Sequence, residues 1–139
     1  MLTRISALSE PLLLPPSFPC PGHEDSVETV GFSSNLPLAA SAGVDGKLLV
    51  WDLNALCQRG SPCTHPDAVT RMAWHPQQPL VVTACLDGIV RCWDLRTCTQ
   101  IKQFGGHSAG LLDVALSPDG SMVISGGDDN TARVFSFAA

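Results

Sequence analysis

Written in rows of 42 residues, the chain falls into register with itself. His23, His65 and His107 stand 42 apart, and so do Ser41, Thr83 and Ser125. Asp45, Asp87 and Asp129 keep the same step, as do Trp51, Trp93 and Phe135. No gap is needed anywhere. The rows begin at Gly22, Thr64 and Gly106 and read GHEDSVETVGFSSNLPLAASAGVDGKLLVWDL, THPDAVTRMAWHPQQPLVVTACLDGIVRCWDL and GHSAGLLDVALSPDGSMVISGGDDNTARVFSF. Any fold for this chain must place the same residue types in the same surroundings three times over.

Each row parses into three strands separated by turn signals such as Ser34-Asn35 and Asp45-Gly46. The first row gives 27–32, 38–42 and 47–52. The second gives 69–74, 80–84 and 89–94, and the third 111–116, 122–125 and 132–136. A fourth, outer strand is expected between rows, at 99–104 and, less well formed around Gly60 and Pro62, at 55–62. The strand runs are near-continuously apolar, as suits sheets covered on both faces. Tyr is absent and helical periodicity is scarce, while Gly and Pro number 12 and 11, which favours short strands and turns over a bundle. A repeat of about 40–45 residues is the length of a four-stranded propeller blade. The expected fold is therefore all-β, a partial β-propeller of three four-stranded blades. Residues 1–21 form an N-terminal extension and residues 22–139 three repeats, about 22–63, 64–105 and 106–139.

Gly22-His23 and Gly106-His107 at row starts, with Trp51-Asp52 and Trp93-Asp94 at row ends, resemble the WD40 family. Thr64 and Phe135-Ser136 depart from its pattern without shifting the register. The resemblance implies a polar chain in each blade. The turn Asp accepts from the His ring, the ring reaches the Ser or Thr hydroxyl, and that hydroxyl takes the Trp indole N–H. With Phe135 in the third row, the chain there should stop at Ser125.

His, Ser and Asp together invite comparison with a hydrolase triad. A catalyst needs such a constellation once, whereas this chain has it three times at one spacing. No GxSxG elbow, HExxH or GxxxxGK[ST] motif is present. His75, before Pro76, reads as a turn residue, and Asp128 as the neighbour of the repeat's Asp129. The chain is expected not to be an enzyme and to carry no cofactor. Six cysteines, at 20, 57, 63, 85, 92 and 98, show no CxxC pair. They read as reduced cytosolic thiols, with Cys85 and Cys92 as small core hydrophobes. Cys63 and His65 alone do not complete a metal site, so no metal is expected.

Eight Lys+Arg against thirteen Asp+Glu give a net charge of −5, which disfavours direct nucleic-acid binding. Residues 22–63 and 106–139 each carry −3, and residues 64–105 carry +1. In the leader, Arg4 and an apolar stretch suggest a signal peptide, but Glu10 and Pro11 interrupt the stretch. It is too short for a membrane span of about 20 residues. Five prolines bar a helix over most of it, so it reads as a flexible extension whose Leu12–Leu14 run can add to a sheet edge.

In a propeller the loops before the inner strands and the turns with the repeated Asp share one face. Glu24, Asp25, Glu28 and Asp128 lie there as candidates for a protein partner, in particular a basic peptide. The stretches GHEDSVETVGF (22–32) and CLDGIVRCWDLRT (85–97) resemble the C-terminal blades of the angio-associated migratory cell protein family. That resemblance implies a cytoplasmic, or also nuclear, scaffold or chaperone that receives a basic ribosomal protein on its acidic face. Trp93-Asp94-Leu95-Arg96 also fits the WDxR box of cullin-4 ubiquitin-ligase substrate receptors, where Arg96 would meet the ligase adaptor on the opposite face. Closed propellers have 4–8 blades. Three rows therefore imply either a part of a longer propeller or self-association, with two chains supplying six blades.

Overall fold

The computed structural model describes residues 19–137. Among them every regular element is a strand. The first sheet holds β1 (Val27–Phe32), β2 (Leu38–Gly43), β3 (Lys47–Asp52), β4 (Cys57–Gln58) and β5 (Cys63–Thr64). The second holds β6 (Val69–Trp74), β7 (Leu80–Cys85), β8 (Val90–Asp94) and β9 (Thr99–Phe104). The third holds β10 (Leu111–Leu116), β11 (Met122–Gly127) and β12 (Ala132–Ser136). The second and third sheets are antiparallel meanders in chain order, and so is the first through β4, with β5 returning to pair with β3. The three form successive blades, and the inner strands β1, β6 and β10 lie beside one another.

The 42-residue step extends to the backbone. Val44, Leu86 and Asp128 donate their N–H groups to the carbonyls of Ser26, Ala68 and Gly110. Leu53, Leu95 and Phe137 donate to Pro37, Pro79 and Ser121. Each inner strand also has a bulge at the same place, between Val27 and Thr29, Val69 and Arg71, and Leu111 and Asp113. Such an extra residue sharpens strand twist, which suits strands that radiate from a centre.

Strand alternation gives every blade two apolar faces. Leu38, Ala40, Ala42, Leu48 and Val50 of the first blade pack on Val69, Met72, Val81 and Trp93 of the second. Leu80, Val82, Ala84, Val90 and Cys92, on the far side of the second blade, pack on Leu111, Val114, Val123 and Phe135 of the third. This double coverage explains the unbroken apolar runs.

Departures from the expected strands have local causes. The outer strand expected at 55–62 is two short pairings, β4 on Trp51 and Asp52 and β5 on Lys47 and Leu48. Between them lie Gly60 at φ 69° and Pro62, which has no N–H to give a ladder. Residue 89, expected in a strand, precedes β8, while β2, β7 and β11 each run past the expected end. The third sheet has three strands among the described residues. The Leu12–Leu14 run expected to supply a fourth lies outside the described residues.

Candidate functional site

The histidine loops and aspartate turns meet at one edge of the blades. In the first, His23 Nδ1 donates to Asp45 at 3.1 Å. Its Nε2 accepts from the Ser41 hydroxyl at 2.7 Å, and Ser41 takes the Trp51 indole N–H at 2.9 Å. Asp45 also receives the backbone N–H groups of Glu24 and Lys47, each at 3.0 Å. Burial raises its pKa, but these N–H groups and His23 bring it below the usual carboxylate range. The third blade repeats the pattern, with His107 at 3.1 Å from Asp129 and 2.8 Å from Ser125. Thr131 and the Ser108 N–H hold Asp129 well below its ordinary value. The Phe135 ring has no N–H to offer Ser125 and stacks on Phe104 at 4.9 Å between ring centroids.

The second blade departs from the expected network, because Asp87 does not bond His65. Pro66 stands where Glu24 and Ser108 supply backbone N–H groups, and proline has none. Arg91, at the position of Leu49, takes the carboxylate instead through Nη2 at 2.6 Å and Nη1 at 3.2 Å. Burial raises the Asp87 pKa, but this fork brings it below its usual value. His65 Nδ1 donates to the carbonyl of Gly46 in the preceding blade at 2.9 Å. Its Nε2 accepts from Thr83 at 2.8 Å, and Thr83 takes the Trp93 N–H at 3.1 Å. Burial pushes the imidazole pKa down to about 4. Both ring nitrogens of His23, His65 and His107 and every tetrad hydroxyl are thus engaged with a neighbour, in arrangements that tie loops to strands.

His75 closes a turn. Its Nδ1 accepts the N–H groups of Gln77 and Gln78, both at 3.1 Å, and the ring is buried against Phe137. Cys63 is buried in β5 with its thiol toward the Cys98 carbonyl.

Three family-model matches decide the assignment. The model described as WD domain, G-beta repeat matches residues 15–52, 58–94 and 98–136. The chain belongs to the WD40 family. It is also similar to angio-associated migratory cell protein from Homo sapiens, Canis lupus familiaris and Pongo abelii, 41% identical over 111 residues in each case. The match covers 80% of this chain and 25% of each relative, so the chain spans about a quarter of their length. WD40 repeats mark a protein-interaction scaffold, and the family is in general non-catalytic.

On the WD40 blades, the candidate contact residues lie as follows. Glu24 and Asp25 are exposed on the loop before β1, and Asp128 is exposed on the β11–β12 turn. Glu28 is exposed at the β1 bulge. Glu24 is partnered by Lys47 Nζ at 3.2 Å, whereas Asp25 Oδ1 accepts the N–H of its neighbour Ser26. Asp67 belongs with this group. It is exposed on the loop before β6, in phase with Asp25, and makes the same contact with Ala68 N–H. That phase was the available signal for it. Arg91, likewise absent from the sequence-derived candidates, differs from Leu49 at its phase position. At the opposite edge Arg96 is exposed, and Asp94 holds its guanidinium through Nε at 3.2 Å and Nη2 at 2.9 Å.

Proposed function

We propose that this WD40 scaffold receives a basic segment of a partner protein on its histidine-loop edge, in the manner of a chaperone for a basic, ribosomal-type protein, in the cytoplasm and nucleus. One observation carries the reading. Asp25, Glu28, Asp67 and Asp128 are exposed on the two loops, the bulge and the turn of that edge, while two of its cations, Lys47 and Arg91, are already bound to Glu24 and Asp87 and a third, Arg133, lies exposed beside Gly106. The edge therefore presents carboxylates in excess, and the attraction of such a field for a cationic peptide falls with salt.

The test is titration of an arginine- and lysine-rich peptide into the chain at low and physiological salt, alongside Glu24→Lys, Asp25→Lys, Glu28→Lys and Asp128→Lys variants. Binding that weakens with salt and with each reversal supports the reading; affinity indifferent to the reversals refutes it. Capture from cytosol then asks whether a basic ribosomal protein is lost from the reversed chain. The same capture with Arg96→Ala tests the alternative, a cullin-4 adaptor contact, which predicts loss of the adaptor alone.

A further inference from the structure

The two interblade junctions within the chain define a third. We propose that the chain binds a second copy of itself head to tail, the far face of the third blade of each copy covering the near face of the first blade of the other, to close a ring of six blades.

Both faces are built for a partner blade and stand uncovered among the described residues. On the near face of the first blade Val30 is 69% and Phe32 71% exposed, beside a hollow of about 320 Å³ lined in part by Val27, Ala39 and Trp51. On the far face of the third blade Ile124 is 46% and Val134 58% exposed. Their phase equivalents are buried in the internal junctions. Ile124 corresponds to Ala40 and Val82, and Val134 to Val50 and Cys92, all at 2% exposure or less. Val30 corresponds to Met72 and Val114, at 7% and 5%. The two bare faces are thus the two unlike halves of the junction the chain already makes twice. Like faces do not meet in it, so the contact is heterologous.

Steric fit points to the same occupant. At the first junction Gly31 backs onto Trp74, so closely that a Cβ at Gly31 would lie 2.1 Å from the indole nitrogen. One phase on, the small Ala73 and the larger Leu116 pack into the second core. The third pair in the series is Ala115 and Phe32, a small residue on an exposed far face and the most exposed large apolar side chain of the described residues. A second copy brings these two together. Closed propellers have about 4–8 blades. Two copies give six, which falls within that range, and three give nine, which does not.

Sedimentation of the 139-residue chain tests this. The expected species has twice the 14.7 kDa chain mass. Phe32→Lys, at an exposed site that leaves each chain folded, removes an aromatic anchor from both junctions and raises the dimer dissociation constant roughly a thousandfold. Phe32→Lys with Ala115→Asp places opposite charges across each junction and restores the dimer. Ile101→Lys, on exposed β9, leaves the mass unchanged. A monomer that unfolds cooperatively overturns the proposal. So does an open-ended series of larger species, a dimer indifferent to Phe32→Lys, or a doubly substituted chain that stays monomeric. None of these readings depends on the acidic edge.

Discussion

Lowering the pH should loosen this fold chiefly through one imidazole. The His65 ring is held neutral, with Nδ1–H on Gly46 O and Nε2 accepting from Thr83. Its pKa falls from 6.5 to about 4, first because burial disfavours the charged form. The Gly46 bond opposes this and the Arg91 charge adds to it. A folded-state value below the unfolded one means that the unfolded chain takes up the proton first. The stabilisation is complete above about pH 6.5, declines as pH falls, and stops declining below about pH 4. With 6.5 in the unfolded chain and about 4 in the fold, linkage gives about 2 kcal/mol lost by pH 5 and about 3 kcal/mol by pH 4. Urea unfolding at pH 7, 5 and 4, for the wild type and for His65→Gln, measures it. The glutamine keeps an acceptor for Thr83 and cannot titrate. Carboxylates held down by hydrogen bonds, such as Asp45 and Asp87, contribute to both proteins and cancel in the difference. If the two stabilities fall in parallel between pH 7 and 4, burial of neutral His65 is not the cause.

Other substitutions probe single contacts. Gly31→Ala drives a methyl into the Trp74 indole and should cost about 1–3 kcal/mol; because the Trp74 N–H is buried without a partner, Trp74→Phe should recover part of that loss in a double-mutant cycle. Gly120→Ala combines φ 76° with a methyl 2.3 Å from His75 Nε2, and thermal melting should place it below every surface variant. Trp93→Phe takes one N–H from the buried Thr83 hydroxyl and should cost about 1 kcal/mol with the strands intact by circular dichroism. In thiol labelling, exposed Cys20 and Cys57 should react at once, whereas buried Cys63 and Cys92, their pKa values pushed up to about 12 by burial, should wait for unfolding.

Most of the strand plan could be read in advance because the period is so tightly kept. Once Val69–Trp74 reads as a strand, 27–32 and 111–116 must be strands at the same offset, and they are. The phase also carries irregular features. Leu56 and Cys98, 42 apart, both adopt positive φ, at 58° and 57°. What escaped was local chemistry laid over the period. Pro66 denies Asp87 a backbone donor, and Arg91 supplies a better partner four residues on, so the second blade fastens His65 to its neighbour instead. Neither residue breaks the repeat pattern, and only their coincidence in space reroutes the bonds. The outer strand of the first blade failed for a simpler reason, the Gly60-Ser61-Pro62 interruption between two short pairings.

Each inner strand holds one residue, Glu28, Thr70 or Leu112, that falls outside the pairing register. An acid, an alcohol and a hydrocarbon occupy these places, although the ladders around them match position for position. At exposed Glu28 and Leu112 the chemistry varies without altering the ladder, whereas the Thr70 hydroxyl is spent on the carbonyls of Ala84 and Leu111. Selection can rewrite what the wall offers a visitor, one letter per module, and the frame that holds the letters need not be recut.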